Sequence, residues 1–368
     1  MKKAFVLIIS VSAVILLSSC GASQEAYEPQ ITDSMSLGYA EAFSVDYCAD
    51  GTSLITVGDD RYLLVPEGME APDCSGVTIL QQPVENIYMV STSTMDMFSA
   101  CNAMDSISYS SLKASDWYVE DAVKAMEEGS IEYAGKYSAP DYELLKSGGC
   151  GLAVENTMIL HSPEIRETLE SMGIPVIVDH SSYESTPQGR MEWIKLYGLL
   201  TGHLEEAENA FNEQLMYFDE LQDAEDTGET VAFFYVTTAG TVSVRKDTDY
   251  IPKMIELAGG SYVYDGYGVS SDSSSPTANI QMESFYAAAK DADFLLYNSS
   301  ISGTVSSIDD LLSLSPVFSS FKAVQTGNVY CTGENLYQSP MELGEFVKDL
   351  HTMISGSGEE MTYIFQLK

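Results

Sequence analysis

Short apolar runs alternate with segments of helical spacing along most of this chain. Runs rich in β-branched and aromatic residues predict strands at residues 53–57, 62–65, 77–80, 87–90, 152–154 and 175–178. Helical spacing of apolar residues predicts helices at residues 93–104, 115–128, 141–147 and 163–172. Because helical patterns are followed by apolar strands, the sequence favours α/β layers around a mostly parallel sheet.

The pattern changes in the middle of the chain and then resumes. Residues 187–222 show helical spacing only, first around Met191, Ile194 and Tyr197 and then, after Gly202, up to Leu221. Beyond the polar residues 223–229, strands are predicted at 231–237, 242–245, 294–297 and 328–331, and helices at 249–258, 282–290 and 340–354. We therefore predict two α/β lobes (residues 37–186 and 229–368) with mostly parallel sheets, joined by a long interlobe helix and the helix after it (187–228).

The first residues have the features of an export signal. Lys2 and Lys3 precede an apolar stretch that is too short to span a bilayer and that closes with Ser18, Ser19 and Cys20. This ending resembles the bacterial lipobox, in which the cysteine is diacylated and becomes the first residue. We predict a signal peptide (1–19) and a flexible, lipid-anchored tether (20–36) that holds the protein at the outer face of a bacterial cell membrane. The alternative is an ordinary secretory signal with an incidental cysteine.

Composition excludes several classes of function. The 55 acidic residues outnumber the 17 basic ones, so a net charge of −38 argues against nucleic-acid binding. No later stretch reaches membrane-spanning length, which leaves the lipid as the only predicted anchor. Five wide-spaced cysteines follow Cys20 and form no metal or redox motif; Cys48 and Cys74 flank two strand-like runs, and whether they pair is open.

Four local motifs occur in a fixed order over the two lobes. They are APDYELL at 139–145, EWIKLYGLLTG at 192–202 followed by EEA at 205–207, MIELAGG at 254–260, and FKAVQTGNVY at 321–330 followed by Ser339 and Pro340. Together they resemble the lipoprotein solute-binding components of ABC importers, in the group that captures siderophores, haem and cobalamin. The chain departs from that family in its extra strands between residues 44 and 90 and in SGGCGL at 147–152.

The resemblance implies a permease-docking role for one glutamate on each lobe. By motif match these are Glu143 and Glu283, both in the first turn of a predicted helix. A carboxylate in that place is also favoured by the helix dipole alone, which is the structural alternative. The resemblance further implies a small-molecule ligand, an ABC permease with its ATPase as partner, a monomeric protein and no resident cofactor.

Open α/β sheets bind ligands at loops that leave the carboxyl ends of their strands, so the ligand is expected in a cleft between the lobes. The chain contains four arginines, and two of them fall at the predicted cleft, where a planar guanidinium suits a carboxylate of haem or of a siderophore. Each is alternatively a structural clamp on a nearby acid. The predicted ligand-binding residues are Thr94, Glu155, Asn156, Arg190, Arg245, Tyr267, Asn298 and Tyr337.

Two other functions are alternatives to capture of an iron chelate, haem or cobalamin-like ligand. A bare divalent metal would need several converging ligands, such as His161, His180 and Glu155, and the sparse histidines count against it. A surface-anchored hydrolase on the same scaffold has no support from a nucleophile elbow or a phosphate loop. The sequence therefore predicts a binding protein and no catalytic residue.

Overall fold

The N-terminal segment builds a sheet of its own before the first predicted βα unit. A computed structural model describes residues 27–222, 225–263 and 275–368. Strands β1 (Ile31–Ser34), β2 (Phe43–Cys48), β3 (Ser53–Val57), β4 (Asp60–Val65) and β5 (Thr78–Gln81) are neighbours in that order. The first four pair antiparallel and β5 joins β4 in parallel. The predicted tether therefore does not extend to residue 36, because its last residues supply an edge strand.

The N-terminal lobe contains the predicted parallel sheet. Its strands and those of a small hairpin are β6 (Ile87–Met89), β7 (Ile107–Ser110), β8 (Glu132–Tyr133), β9 (Gly135–Lys136), β10 (Ala139–Pro140), β11 (Leu152–Asn156) and β12 (Val176–Asp179). The order β12-β11-β6-β7-β8 is parallel throughout, and β9 pairs with β10. Helices α1 (Thr92–Ala100), α2 (Glu120–Glu128), α3 (Tyr142–Ser147) and α4 (Pro163–Ser171) connect the strands. Alternate residues of β11 enter two apolar clusters, one on each face of the sheet.

The interlobe segment contains three helices where the sequence predicted a long interlobe helix and one helix after it. It comprises α5 (Pro187–Glu192), α6 (Ile194–Thr201) and α7 (Leu204–Glu220). The helical hydrogen-bond pattern is interrupted at Trp193, although this residue keeps helical φ and ψ angles. Helix α6 is capped by Gly202, whose φ of 83° glycine adopts at little cost. Helix α6 packs on α1 of the N-terminal lobe.

The C-terminal lobe has a parallel centre and antiparallel edges. Its strands are β13 (Thr230–Val236), β14 (Val242–Arg245), β15 (Ser261–Tyr262), β16 (Thr277–Ile280), β17 (Phe294–Tyr297), β18 (Val329–Thr332) and β19 (Ile364–Gln366). In the order β16-β14-β13-β17-β18-β19, only β13, β17 and β18 pair in parallel among the described strands of this path. Its helices are α8 (Tyr250–Leu257), α9 (Met282–Ala289), α10 (Ser299–Ser302), α11 (Ile308–Leu314), α12 (Lys322–Thr326) and α13 (Leu343–Ser355). Helix α13 packs against α7. Across the described part of the chain, no helix is both long and apolar enough to cross a bilayer.

Two buried carboxylates, Glu184 just before α5 and Glu192 on α5, attach the N-terminal segment to the start of the interlobe segment. The amides of residues 38–40 donate to Glu192 at 2.8 to 3.0 Å, and those of residues 41 and 42 donate to Glu184 at 3.0 to 3.1 Å. Lys195 also contacts Glu192 at 2.7 Å. Burial alone would raise the pKa of Glu192, but the hydrogen bonds from Lys195 and the three amides hold this pKa below its ordinary value. The ionised form of Glu192 is therefore the form that the fold favours.

Replacing Glu192 with Ala is expected to lower the free energy of unfolding by about 2–4 kcal/mol, because three amides and Lys195 lose a buried acceptor. Since the pKa of Glu192 is lowered on folding, its stabilisation is present above the ordinary glutamate pKa and is lost as the pH falls through the lowered value. Urea titrations at neutral and acid pH should show the difference from wild type shrinking on acidification. The same change at exposed Glu208 is the control, and equal losses at both positions would contradict this role.

Candidate ligand-binding site

A cavity of about 430 Å³ lies between the two lobes. The N-terminal lobe supplies residues at the carboxyl ends of β6, β11 and β12, the interlobe segment supplies α5, and the C-terminal lobe supplies the ends of β14, α8 and α10. The lining residues are Ser91, Thr92, Ser93, Asn156, Thr157, Met158, Asp179, Ser182, Arg190, Arg245, Tyr250, Pro276, Ile301 and Tyr337. The predicted cleft is therefore present, and Asn156, Arg190, Arg245 and Tyr337 are the predicted residues that line it.

Asp179 organises the N-terminal wall of the cavity. Its Oδ2 accepts hydrogen bonds from the hydroxyls of Ser91 at 2.6 Å, Thr94 at 2.7 Å and Ser93 at 3.2 Å, and its Oδ1 accepts from the amide of Ser181 at 2.7 Å. Thr94 is fully buried and does not line the cavity, so its prediction as a ligand contact is wrong for this structure. Thr94 instead supports Asp179 from beneath, because α1 turns its side chain inward.

The two cleft arginines are stacked on tyrosine rings. The guanidinium carbon of Arg190 lies 4.9 Å from the ring centroid of Tyr250, and that of Arg245 lies 4.9 Å from the ring centroid of Tyr337. Arg245 Nη1 also lies 3.1 Å from Asp249 Oδ2. Arg190, by contrast, has no carboxylate partner within the residues described here. Its planar donors are therefore available to an anionic group in the cavity.

Apolar side chains flank the polar interior of the cavity. Met158, in the turn after β11, is 48% exposed, and Ile301, on α10 of the other lobe, is 54% exposed. Both line the cavity. Large apolar side chains left exposed on opposite sides of a cleft suit contact with an apolar part of a ligand. The site can thus hold a molecule with both anionic groups and an apolar surface.

Asn298 is a correction to the predicted set of ligand contacts. It is fully buried at the end of β17 and does not line the cavity. Its Nδ2 donates to the hydroxyl of Tyr337 at 2.7 Å, and its Oδ1 accepts from the amide of Ser300 at 3.1 Å and caps α10. Its position after a strand places Asn298 near the cavity, but its side chain bonds to the cavity residue Tyr337 instead of facing the cavity.

Glu155 is a second correction. It lies on the same face of β11 as Ala153, which belongs to an apolar cluster with Tyr88, away from the cavity lining. The side chain is fully buried, and neither carboxylate oxygen has a hydrogen-bond partner among the residues the structure describes. This burial raises the pKa of Glu155 from 4.5 to about 8. A neutral, buried acid there is not a contact for the ligand.

Replacing Glu155 with Gln tests this placement through stability. A carboxyl with a raised pKa favours folding below its ordinary pKa, and that contribution is lost as the pH rises toward about 8. The glutamine variant escapes this loss, so its free energy of unfolding relative to wild type should rise by about 2–4 kcal/mol between pH 4 and pH 8. Urea titrations across this range measure the difference. A relative stability that does not change with pH would contradict the assignment.

The sequence reasoning missed several residues that shape the cavity. Asp179 is the last residue of β12, which the sequence predicts at 175–178. A polar side chain directly after this buried run was the available sign that Asp179 belongs to the site. Tyr250 follows the cap residue Asp249, whose side chain accepts from the amide of Ile251 at 2.9 Å. Tyr250 is only 2% exposed, and its ring lies against Arg190 in the lining of the cavity. The predicted contact Tyr267 lies outside the described residues.

Comparison with known proteins identifies the fold. The sequence profile described as periplasmic binding protein matches residues 153–336. The chain belongs to the periplasmic binding protein family. An uncharacterised lipoprotein of Methanocaldococcus jannaschii is 24% identical over 90% of this chain and 86% of its own length. A periplasmic binding protein of Veillonella parvula superposes with a TM-score of 0.61 at 15% identity, covering 86% of this chain and 98% of its own. The periplasmic haem-binding protein of Vibrio cholerae superposes with a TM-score of 0.57 at 16% identity, covering 72% of this chain and 98% of its own.

In this periplasmic binding protein the two predicted docking glutamates are both surface residues. Glu143 lies in the first turn of α3, whose cap Asp141 accepts from the amide of Leu144 at 3.0 Å. Glu283 lies in the first turn of α9 on the other lobe. Both are exposed and neither lines the cavity. Their positions, one on each lobe and outside the cleft, are compatible with contact to a second protein.

Other candidate chemistry from the sequence finds no assembled site. No group of three or more His, Cys, Asp or Glu side chains that could hold a metal occurs among the described residues. His180 lies instead beside residues 41–44 of the N-terminal sheet. Cys48 and Cys74 are free thiols in the described chain, as are Cys101, Cys150 and Cys331, which answers the open question of pairing. Cys20 lies outside the described residues.

Proposed function

We propose that this protein is the extracytoplasmic substrate-binding component of an ABC importer and that it captures a metal chelate that presents an anionic group, such as a ferric siderophore, haem or a corrinoid. The observation that carries the proposal is the cavity between the lobes, in which Arg190 and Arg245 are held on tyrosine rings. Membership of the family supports capture over catalysis. Under this proposal the protein acts as a monomer that passes its ligand to a permease driven by an ATPase.

The nature of the ligand is inferred from the chemistry of the lining. Guanidinium groups recognise carboxylates through paired hydrogen bonds, and the stacked tyrosine rings hold both arginines in place for this contact. Met158 and Ile301 add an apolar surface at two sides. The similar Vibrio cholerae protein is a haem-binding protein. A bare divalent cation has no comparable support, because His161 and His180 do not converge with Glu155 into a metal site in the described structure.

A thermal-shift screen of the mature protein, extracted from membranes in mild detergent, tests this function. The probes are haemin, cobalamin and ferric siderophores of the hydroxamate, catecholate and carboxylate classes. At a ligand concentration 100 times the Kd, binding adds about 2.7 kcal/mol to the free energy of unfolding, which raises Tm measurably. Stabilisation by one chelate class supports the proposal. Stabilisation by free divalent cations, with none by any chelate, would contradict it.

The lipid anchor is a separate part of the proposal. Changing Cys20 to Ser should move the protein from the membrane fraction to the soluble extracytoplasmic fraction, because thioether lipidation needs the cysteine sulfur and two acyl chains provide the anchoring. Cell fractionation followed by immunoblotting measures the distribution. Changing Ser19 to Ala is the neighbouring control and should leave the protein on the membrane. A Cys20→Ser variant that still sediments with membranes would refute the anchor.

A further inference from the structure

Tyr337 connects a buried amide to a cleft arginine. Its hydroxyl accepts a hydrogen bond of 2.7 Å from Asn298 Nδ2, while its ring lies 4.9 Å from the guanidinium carbon of Arg245. Asn298 is fully buried at the end of β17, Tyr337 follows β18, and Arg245 ends β14. Three separate strand ends of the C-terminal lobe therefore meet in one row of side chains that runs from the core to the cavity.

Other contacts fix both ends of Arg245. The hydroxyl of Tyr262 accepts from the amide of Arg245 at 3.0 Å and donates to its carbonyl at 3.1 Å, which holds the backbone. The guanidinium Nη1 lies 3.1 Å from Asp249 Oδ2, and Asp249 also caps α8. These contacts fix the backbone of Arg245 and one edge of its guanidinium, but the face of the guanidinium is held by the ring of Tyr337. The ring position therefore sets which way the remaining donors point.

The ring itself is fixed by Asn298. Asn298 Oδ1 is occupied by the amide of Ser300, so the orientation of its amide group is determined and Nδ2 is directed at Tyr337. The residue after Tyr337, Gln338, bonds to the N-terminal lobe through the amide of Tyr118 at 2.9 Å and the carbonyl of Asp116 at 3.0 Å. The ring is thus held through its hydroxyl, and the side-chain amide of the next residue anchors this loop to the N-terminal lobe.

We propose that Asn298 and Tyr337 are positioning residues, which hold the guanidinium of Arg245 in the orientation that receives the anionic group of the ligand. The ligand part of this proposal rests on the proposed function. Asn298 acts without touching the ligand, and Tyr337 acts chiefly through Arg245. Pre-organisation of this kind improves affinity because the side chain need not be ordered when the ligand binds.

The first test needs no ligand. The chain has four arginines, Arg61, Arg166, Arg190 and Arg245, so the ¹⁵N-arginine protein in detergent should give at most four Nε–Hε signals. Arg245 should show a ring-current shift in wild type, assigned by its loss in Arg245→Lys. Tyr337→Phe keeps the ring but removes the hydroxyl, and Asn298→Ser keeps a cap for α10 but is too short to reach Tyr337. Both changes should reduce the shift by at least half and leave Arg61 and Arg166 unchanged. An unaltered Arg245 signal in both variants would overturn the proposal.

The second test measures coupling, with haemin as the probe. Removing one hydrogen bond between Asn298 and Tyr337 should weaken binding about 3- to 10-fold in Tyr337→Phe and in Asn298→Ser, and the double variant should be no weaker than either single one. In an Arg245→Ala background, Tyr337→Phe should change the Kd less than about 2-fold. An equal loss in both backgrounds would show that Tyr337 acts by its own contact and would overturn the proposal.

The two tests separate failure of the positioning role from failure of the proposed function. If wild type binds neither haemin nor another chelate of the screen, the proposed function fails, and the arginine spectra alone decide whether Asn298 and Tyr337 orient Arg245. If a chelate binds but the spectra are unaltered by both variants, the function stands and the positioning role is refuted. If a chelate other than haemin binds wild type, that chelate replaces haemin in the coupling measurement.

Discussion

Replacing Arg190 and Arg245 together with Ala is expected to weaken ligand capture by about 100-fold or more. Hydrogen bonds to charged groups contribute about 1.5–3 kcal/mol each, and each arginine removed leaves an anionic group of the ligand without its partner. Isothermal titration of the variants with the chelate that stabilises wild type measures the loss. Arg190→Ala should cost at least as much as Arg245→Ala, because Arg190 has no carboxylate partner in the described residues and its donors are uncommitted.

Two control variants make this result specific. Arg61→Ala removes the same charge from an exposed position outside the cavity and should leave the Kd unchanged. Arg245→Lys keeps the charge but loses the planar group that stacks on Tyr337, so it should recover only part of the affinity. Unchanged binding in the double alanine variant would mean that the ligand lies elsewhere. A loss as large in Arg61→Ala would show a long-range charge effect instead of contact.

Reversing the charge of Glu143 and Glu283 is the second change with a large expected effect, and it should act on transport alone. Both side chains are exposed and lie outside the cavity, so Glu143→Lys and Glu283→Lys should leave the Kd within about 2-fold of wild type. If the two carboxylates dock on a permease, as the family resemblance implies, import in cells should fall by at least 10-fold in the double variant. Two attractive charges then become repulsive toward cationic groups of the partner, and like-charge juxtaposition costs on the order of several kcal/mol. Uptake of the labelled chelate measures the effect.

Charge reversal elsewhere on the surface provides the matched control. Glu128→Lys and Glu208→Lys make the same change at exposed positions of α2 and α7. These two control variants should import the ligand at the level of wild type if docking depends on the first turns of α3 and α9. Equal loss of import in the control variants would show that overall charge matters and not these two carboxylates. Loss of ligand binding in Glu143→Lys and Glu283→Lys would show that these residues belong to the ligand site, which would contradict their placement outside the cavity.

Short apolar runs between polar neighbours were enough to predict several strands of both lobes. Residues 53–57, 242–245 and 294–297 have the predicted bounds, because each is a short run of buried residues with polar neighbours. Strand β7 (Ile107–Ser110) was missed, since serines at alternate positions weaken the apolar signal. Strand β1 was missed because its residues are all exposed and gain their order only from pairing with β2.

Strand and helix ends predicted which residues lie near the cavity, but they did not predict which of these residues turn their side chains into it. Arg190 and Arg245 reach the cleft because helix α5 and strand β14 both point to it. Glu155 and Asn156 are adjacent on β11, yet only Asn156 lines the cavity, because successive side chains of a strand face opposite ways. Glu155 precedes the cavity residue Asn156 by one position, and its side chain is therefore buried in the core. Asn298 was missed as a supporting residue because its partner, Tyr337, is distant in sequence.

The most direct test of capture in the interlobe cavity is to locate the metal of the bound ligand. Crystals of the complex with the stabilising chelate, measured at the absorption edge of its iron or cobalt, give an anomalous peak at the metal position. The account predicts one strong peak between the lobes, within the cavity lined by Arg190, Arg245, Tyr250 and Tyr337. A peak on the outer surface of either lobe, or in the N-terminal sheet beside His180, would contradict it.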